Sequence, residues 1–294
     1  MRNQTLRNQR MVLAQQAQQK AIDVRRNAGF DNKSPLCIYG LCDKLNVRVK
    51  FVDISMEGIY LREAEPIILL SALRPLPRRI FTCAHELGHH VFGHGSTIDE
   101  LIEESERSKA FQPEEFLANL FAGFLLMPVL GVRKAFVSRG WDADSATPEQ
   151  IFTVACSFGV GYETLITHLA YSLKMISSSR ANTLLKTKPK AIREKVLGRP
   201  PFTDPLIIAD AYWSMPTIDA EVGSFLLLPT GAEAANDTIT FEENHPKGCL
   251  FKANRPGVVR VYCRDTVWAV FVRVSRYQFI GLSQYRHLEE VEDE

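Results

Sequence analysis

Apolar residues recur three and four apart at Ile80, Phe81, Ala84, Leu87, Val91 and Phe92, the period of a half-buried helix. Residues 111–123 read as the start of a second helix. Pro113 suits its first turn and Leu126-Met127-Pro128 closes it. Glu115, Ala118, Asn119 and Ala122 share one stripe, small enough for another helix to come close. Upstream, residues 35–45 put Ile38, Leu41, Cys42 and Leu45 on one side of a short helix that Asn46 breaks. Residues 48–52 alternate as a strand with Val49 and Phe51 on one face, and residues 58–61 and 67–70 are further strands. Pro75 and Pro77 end that region. Residues 1–28, rich in Gln, Arg and Ala, suit an amphipathic helix or a disordered leader equally.

The second half changes character. Thr147-Pro148-Glu149-Gln150 is a helix start, with a Thr cap, Pro at the first position and Gln at the third. That helix runs to about Ser157. Residues 158–161 turn, and residues 162–173 form another helix, giving helix-turn-helix spacing. The second helix opens on Tyr162-Glu163-Thr164 with no cation, a poor face for phosphates. Residues 174–199 are basic, through Lys174, Arg180, Lys186, Lys188, Lys190, Arg193, Lys195 and Arg199. They read either as a solvated linker or as a patch for DNA or a DNA-bound partner. Pro200, Pro201 and Pro205 mark a boundary. Strands follow at 224–228, 238–241, 258–263 and 267–274, and Asp265-Thr266 joins the last two as a hairpin. The 267–274 run is apolar enough to be a central strand. Glu289 to Glu294 read as a solvated acidic tail.

Composition narrows the class. The chain has 294 residues, 46% of them apolar, enough for two or three cores. Its net charge of +1 supplies no global field toward nucleic acid or membrane. There is no secretory leader pattern and no run long enough to span a membrane. Six scattered cysteines lack the spacing of a zinc ribbon. They read as thiols in a reducing compartment, so a cytoplasmic location is expected.

The chemistry concentrates at His85-Glu86-Leu87-Gly88-His89. On a helix His85 and His89 share a face and can hold one Zn²⁺, while Glu86 can act as the base toward water. The bland alternative is a pair of surface histidines with a solvated glutamate, and the apolar flanks oppose it. Catalytic zinc needs a third protein ligand. His94 has the wrong spacing for that role, and His90 points off the shared face. Glu115 is the better candidate, with Asn119 behind it as a hydrogen-bonding support; Glu114 competes on a neighbouring face. The donor set suits zinc, and manganese or iron also fit the residue types. His94, His168, Tyr162 and Tyr171 are candidates to stabilise an oxyanion, and no spacing singles one out. An exposed edge of the small sheet is expected to take an extended substrate by strand addition. Residues 95–109 read as a polar loop between the ligand helices.

Two blocks, residues 83–90 and 115–128, resemble the ImmA/IrrE metallopeptidases, with H-E-L-G-H followed by E-x-x-A-N-x-F-A-x-x-L-L-M-P. That resemblance implies His85, His89 and Glu115 as zinc ligands and Glu86 as catalytic base. It implies a narrow substrate, a helix-turn-helix repressor cut at one site, with release of stress-response or mobile-element genes. It also implies a GAF-like sensor at the C-terminus of some members. The expected architecture is α+β. A leader or helix (1–34) precedes a zincin-like domain (35–140), a helix-turn-helix-like section with basic linker (141–202) and a C-terminal α+β domain (203–294). The rival readings are a regulatory protein that binds DNA or a repressor without cutting it, and an interaction module with a structural zinc.

Overall fold

The computed structural model describes residues 2–95, 97–99, 111–199 and 203–288. Most of the expected loop at 95–109 lies outside these residues, as do Pro200, Pro201 and the acidic tail. The chain divides into two compact units, Met1–Gly131 with Ile280–Ser283, and Val132–Phe279 with Gln284–Glu294.

In the first unit, residues 1–28 resolve as helix rather than leader: α1 spans Arg2–Asn27. After it come α2 (Ile38–Lys44), β1 (Arg48–Val52), β2 (Gly58–Leu61), β3 (Ile67–Ser71), α3 (Leu76–Phe92), β4 (Thr97–Asp99) and α4 (Pro113–Leu126). Asn46 ends the α2 region with φ 56°, a conformation asparagine tolerates. β1 and β3 pair in parallel, Arg48 against Ile67, and β2 runs antiparallel to β3, Gly58 against Leu70. Both outer edges of this group are covered. β4 pairs with β2, and a two-residue strand from the far end of the chain, Gly281–Leu282, pairs with β1. The edge strands of the sheet are therefore β4 and Gly281–Leu282.

The sheet buries Val49, Phe51, Ile68, Leu70 and Tyr60. Phe51 meets Tyr39 of α2 edge to face, with the Arg79 guanidinium of α3 over its ring. α4 packs on α3, and α1 packs on α4. The α1 contact is a stripe of Ala17, Ala21 and Val24, three to four apart and buried. It ends in Arg25, 1% exposed, whose guanidinium donates to the carbonyls of Asp31 (2.7 Å), Leu125 (2.6 Å) and Ser34. Burial pushes this guanidinium down to about 10 against the pull of Asp31. One side chain thus satisfies the end of α4 and the loop after α1.

α5 (Val129–Val137) carries the chain into the second unit, where α6 (Pro148–Ser157), α7 (Tyr162–Thr167), α8 (Ser178–Leu184) and α9 (Pro189–Leu197) follow. The start read at Thr147 is a capping box: Thr147 Oγ1 accepts from the Gln150 N–H, and Gln150 Oε1 accepts from the Thr147 N–H at 2.8 Å. α7 runs on into a π-helical turn, His168–Ser172.

Eight strands follow: β5 (Leu206–Ile208), β6 (Thr217–Glu221), β7 (Phe225–Leu228), β8 (Ala232–Ala234), β9 (Ile239–His245), β10 (Gly248–Ala253), β11 (Gly257–Cys263) and β12 (Ala269–Ser275). They form two four-stranded sheets, β5-β7-β10-β9 and β6-β12-β11-β8. The sheets share one core, in which Leu226, Leu228 and Phe251 meet Ile218, Val259, Val261, Val270 and Val272. β12 is central, as its apolar run predicts, and its hairpin with β11 sets Val259 opposite Val272. β7 is buried throughout because α6 lies along the other face of its sheet, against β5.

This region differs from the expected α+β domain. Among its described residues it contains strands and one 3₁₀ turn, Ser283–Tyr285, and no α-helix. Short apolar runs do not by themselves distinguish a strand next to a helix from a strand in a sandwich.

Asp219 on β6 ties down the segment after Ser283. Arg273 grips it with Nε and Nη2, each at 2.7 Å, and Arg286 and His287 stand at 3.7 and 3.5 Å. Burial alone would raise the Asp219 carboxyl. The bond to His287 and the charges of Arg286 and Arg273 outweigh it and hold the group well below the usual carboxylate range. A carboxylate depressed in the fold stabilises it above the unfolded value near 3.9 and stops doing so as pH falls toward the folded value.

Two outcomes follow for stability. Arg25→Met leaves three carbonyls without their donor and lowers stability by about 2–4 kcal/mol, read as a lower urea midpoint at unchanged slope. Asp219→Asn is less stable than the unaltered chain at pH 7, and the gap narrows below about pH 4, measured by thermal melts across that range.

Candidate metal centre

α3 follows Pro75 with Pro77 inside its first turn, and it stops at Gly93, which takes φ 72°. His85 and His89 lie four apart on its buried side. Glu115 sits in the first turn of α4, where a carboxylate meets the positive end of the helix. The crossing of the two helices brings these three side chains together. A Cβ added to Gly88 would lie 3.1 Å from Ala118 Cα and 3.2 Å from Phe121 Cδ1, so the missing side chain is what lets the α4 backbone come this near. Gly88 is next to His89 and one turn from His85; Ala118 is one turn from Glu115. The helix-propensity cost of Gly88, about 1 kcal/mol relative to Ala, is what this close crossing requires.

The converging atoms are His85 Nε2, His89 Nε2 and the Glu115 carboxylate. The two nitrogens are 3.1 Å apart; His85 is 3.2 Å from Oε2 and His89 is 3.4 Å from Oε1. The rings stand edge to face with centroids 4.8 Å apart. The histidine side chains are 5% and 1% exposed, whereas that of Glu115 is 40% exposed. The cluster is walled by α3 and reachable past Glu115.

Burial and the facing His85 push His89 down to about 4, against the pull of Glu115. The bond to His85 holds the Glu115 carboxyl below its ordinary value, with the nearby imidazoles adding to it against desolvation. Near neutral pH the site therefore offers a carboxylate and a neutral imidazole, the protonation states a cation needs. The spacing also fits. Donors about 2.0–2.1 Å from zinc in a tetrahedron stand about 3.3 Å from one another. Among the described residues this is the one group of three or more such side chains placed to hold a metal ion.

The other candidates fall as follows. Glu86 is wholly buried on α3 beside His85. Asn119 is exposed and makes no side-chain hydrogen bond to the cluster, and Glu114 is exposed. His90 Nδ1 pairs with the Tyr60 hydroxyl at 2.9 Å, away from the other two histidines. His94 Nδ1 lies 3.0 Å from His89 Nδ1, a contact that ligand spacing did not reveal. Tyr162, His168 and Tyr171 belong to the second unit. There the Tyr162 hydroxyl donates to the Leu184 carbonyl, and burial pushes it up to about 12.

Much of the basic run is met within its own unit. Lys195 pairs with Glu149 at 2.7 Å, Lys188 with Glu163 at 2.9 Å, and Arg180 donates to the Ala146 carbonyl at 2.6 Å. The Lys188–Glu163 pair sits at the start of α7, where a base-reading helix would need free cations. Among the described residues no single helix is long and apolar enough to cross a membrane.

Residues 42–169 match the family model described as the IrrE N-terminal-like domain, Peptidase_M78. The matched stretch is under half of the chain. It begins in α2, ends in the π-helical turn, and contains His85, Glu86, His89 and Glu115. No protein of curated function matches the chain. Among solved structures, a Mycobacterium tuberculosis transcriptional regulator matches at 19% identity with a TM-score of 0.34, over 53% of this chain and 46% of its own length. The match thus spans less than half of that protein.

Within the matched stretch, Gly88→Val pushes Ala118 away and costs about 1–3 kcal/mol of stability. The same change displaces Glu115 from the histidines, so zinc affinity measured by chelator competition falls as well, while a surface change such as Glu114→Gln alters neither.

Proposed function

We propose that this chain is a metal-dependent endopeptidase, with zinc at His85, His89 and Glu115, that makes a site-specific cut in a helix-turn-helix transcriptional repressor. The observation that carries the chemistry is the convergence of two imidazole nitrogens and a carboxylate within 3.1–3.4 Å, open on the Glu115 side. Manganese or iron would suit the same donors.

A metal held there supplies Lewis acidity, polarising a carbonyl oxygen and making water more acidic. His85 and His89 bind through Nε2, and their burial keeps bulk water off two sides. Glu115 binds through its carboxylate and lines the side by which a peptide enters. Glu86 takes the proton of the attacking water on its carboxylate and delivers it to the departing amine.

The substrate class rests on the resemblance of residues 83–90 and 115–128 to the ImmA/IrrE metallopeptidases. Cutting such a repressor would release stress-response or mobile-element genes. A cytoplasmic site of action belongs to this reading and rests on the six scattered cysteines of the sequence. The C-terminal pair of sheets is the part of the chain left to sense a signal, the role a GAF-like domain fills in some members.

Glu86→Gln separates chemistry from binding. It is expected to retain zinc and to slow cleavage of a repressor encoded beside the gene by about 10²–10⁴-fold, followed as the appearance of one discrete fragment. Cleavage at the unaltered rate would remove Glu86, and this site, from the reaction.

A further inference from the structure

We propose that His94 is a positioning residue for the metal centre. It accepts a hydrogen bond from His89 Nδ1–H and so holds the Nε2 lone pair of His89 toward His85 and Glu115. This rests on the metal-centre reading above and adds a residue outside the three donors.

A neutral imidazole has one N–H and one lone pair. If Nε2 of His89 gives its lone pair to a cation, the proton must sit on Nδ1. His89 is buried, and a buried donor without an acceptor is costly. His94 Nδ1 stands 3.0 Å away and supplies that acceptor, which requires His94 to carry its own proton on Nε2. The tautomer of one histidine thus sets that of the other.

The backbone puts His94 there. The Gly93 N–H donates to the His90 carbonyl at 3.1 Å, and the His94 N–H donates to the His89 carbonyl at 3.0 Å. These two bonds, with Gly93 in the left-handed region, are the Schellman way of ending a helix. It lays the second residue past the helix end against the residue five earlier. That contact is ordinarily apolar; here it joins two imidazoles, with centroids 5.0 Å apart. The His94 ring is also stacked on Phe92, 21° from parallel at 5.8 Å, and Phe92 meets Phe121 of α4 edge to face at 5.7 Å. The turn that terminates α3 is therefore braced against the helix that carries Glu115.

The test compares zinc affinity of the full chain with His94→Ala and His94→Asn, by competition with a chromophoric chelator. Melting of the metal-free proteins is the check on folding. Loss of the supporting acceptor weakens metal binding by about 10–100-fold, so His94→Ala is expected to lose that much while its metal-free form still melts cooperatively. Asn places an acceptor oxygen where Nδ1 was and is expected to recover affinity to within about threefold of the unaltered chain. Unaltered affinity in His94→Ala overturns the inference. Equal weakening in both variants also overturns it, because then packing rather than the hydrogen bond matters. An unaltered chain that takes up no zinc overturns the metal centre itself and this inference with it.

Discussion

The contact of α3 with α4 at Gly88 is the constraint on which the rest of the first unit depends. Two histidines four apart make only half a metal site, and the carboxylate that completes it lies on another helix, 26 residues later. A carboxylate side chain is short, so its helix must approach to within backbone contact. Gly88 against Ala118 achieves that, and the neighbouring alanines keep the rest of the seam thin. Behind it, α1 presses its own small stripe on α4, and Arg25 closes the carbonyl end of α4. Position at the site is thus set by packing that extends across three helices.

The electrostatics follow from the same packing. Burying His89 with His85 edge to face against it disfavours charging His89, and the bond to His85 holds the adjacent Glu115 carboxyl below its ordinary value. Such an arrangement is poor for a salt bridge and good for a cation, which can satisfy all three groups at once. The half-exposed Glu115 matters as much as the buried pair. A donor set sealed on every side would hold a metal and admit no substrate.

How far the sequence showed this depended on the range of each interaction. Local signals read well. The capping box at Thr147, the prolines that start α3, α4 and α6, and the period of α3 are decided within a turn or two of chain. Glu115 was also legible, because its stripe of small residues announces close approach. Long-range pairing was not. Strands of two or three residues such as β5, β8 and Gly281–Leu282 exist because a partner farther along the chain supplies their hydrogen bonds. Nothing in residues 281–282 points to β1. The same limit produced the expected α+β C-terminal region, where two packed sheets stand instead. Nor did the sequence show that Glu149 and Glu163 pair with Lys195 and Lys188 of the 174–199 run, which read as either a linker or a patch.

His94 is a different case, because its signal was local and was put to the wrong question. Tested as a metal ligand, it fails on spacing by one residue. Tested as the residue after a helix-ending glycine, it has a defined place, folded back over the last turn and against His89. The same geometry applies to any helix that carries ligand histidines close to its end. A left-handed cap residue there fixes more than where the helix stops. It decides which side chain covers the outer nitrogen of the last ligand, and hence which tautomer that ligand can hold. In this chain a backbone turn at Gly93 brings His94 Nδ1 to 3.0 Å from His89 Nδ1, and so to the edge of the candidate metal centre.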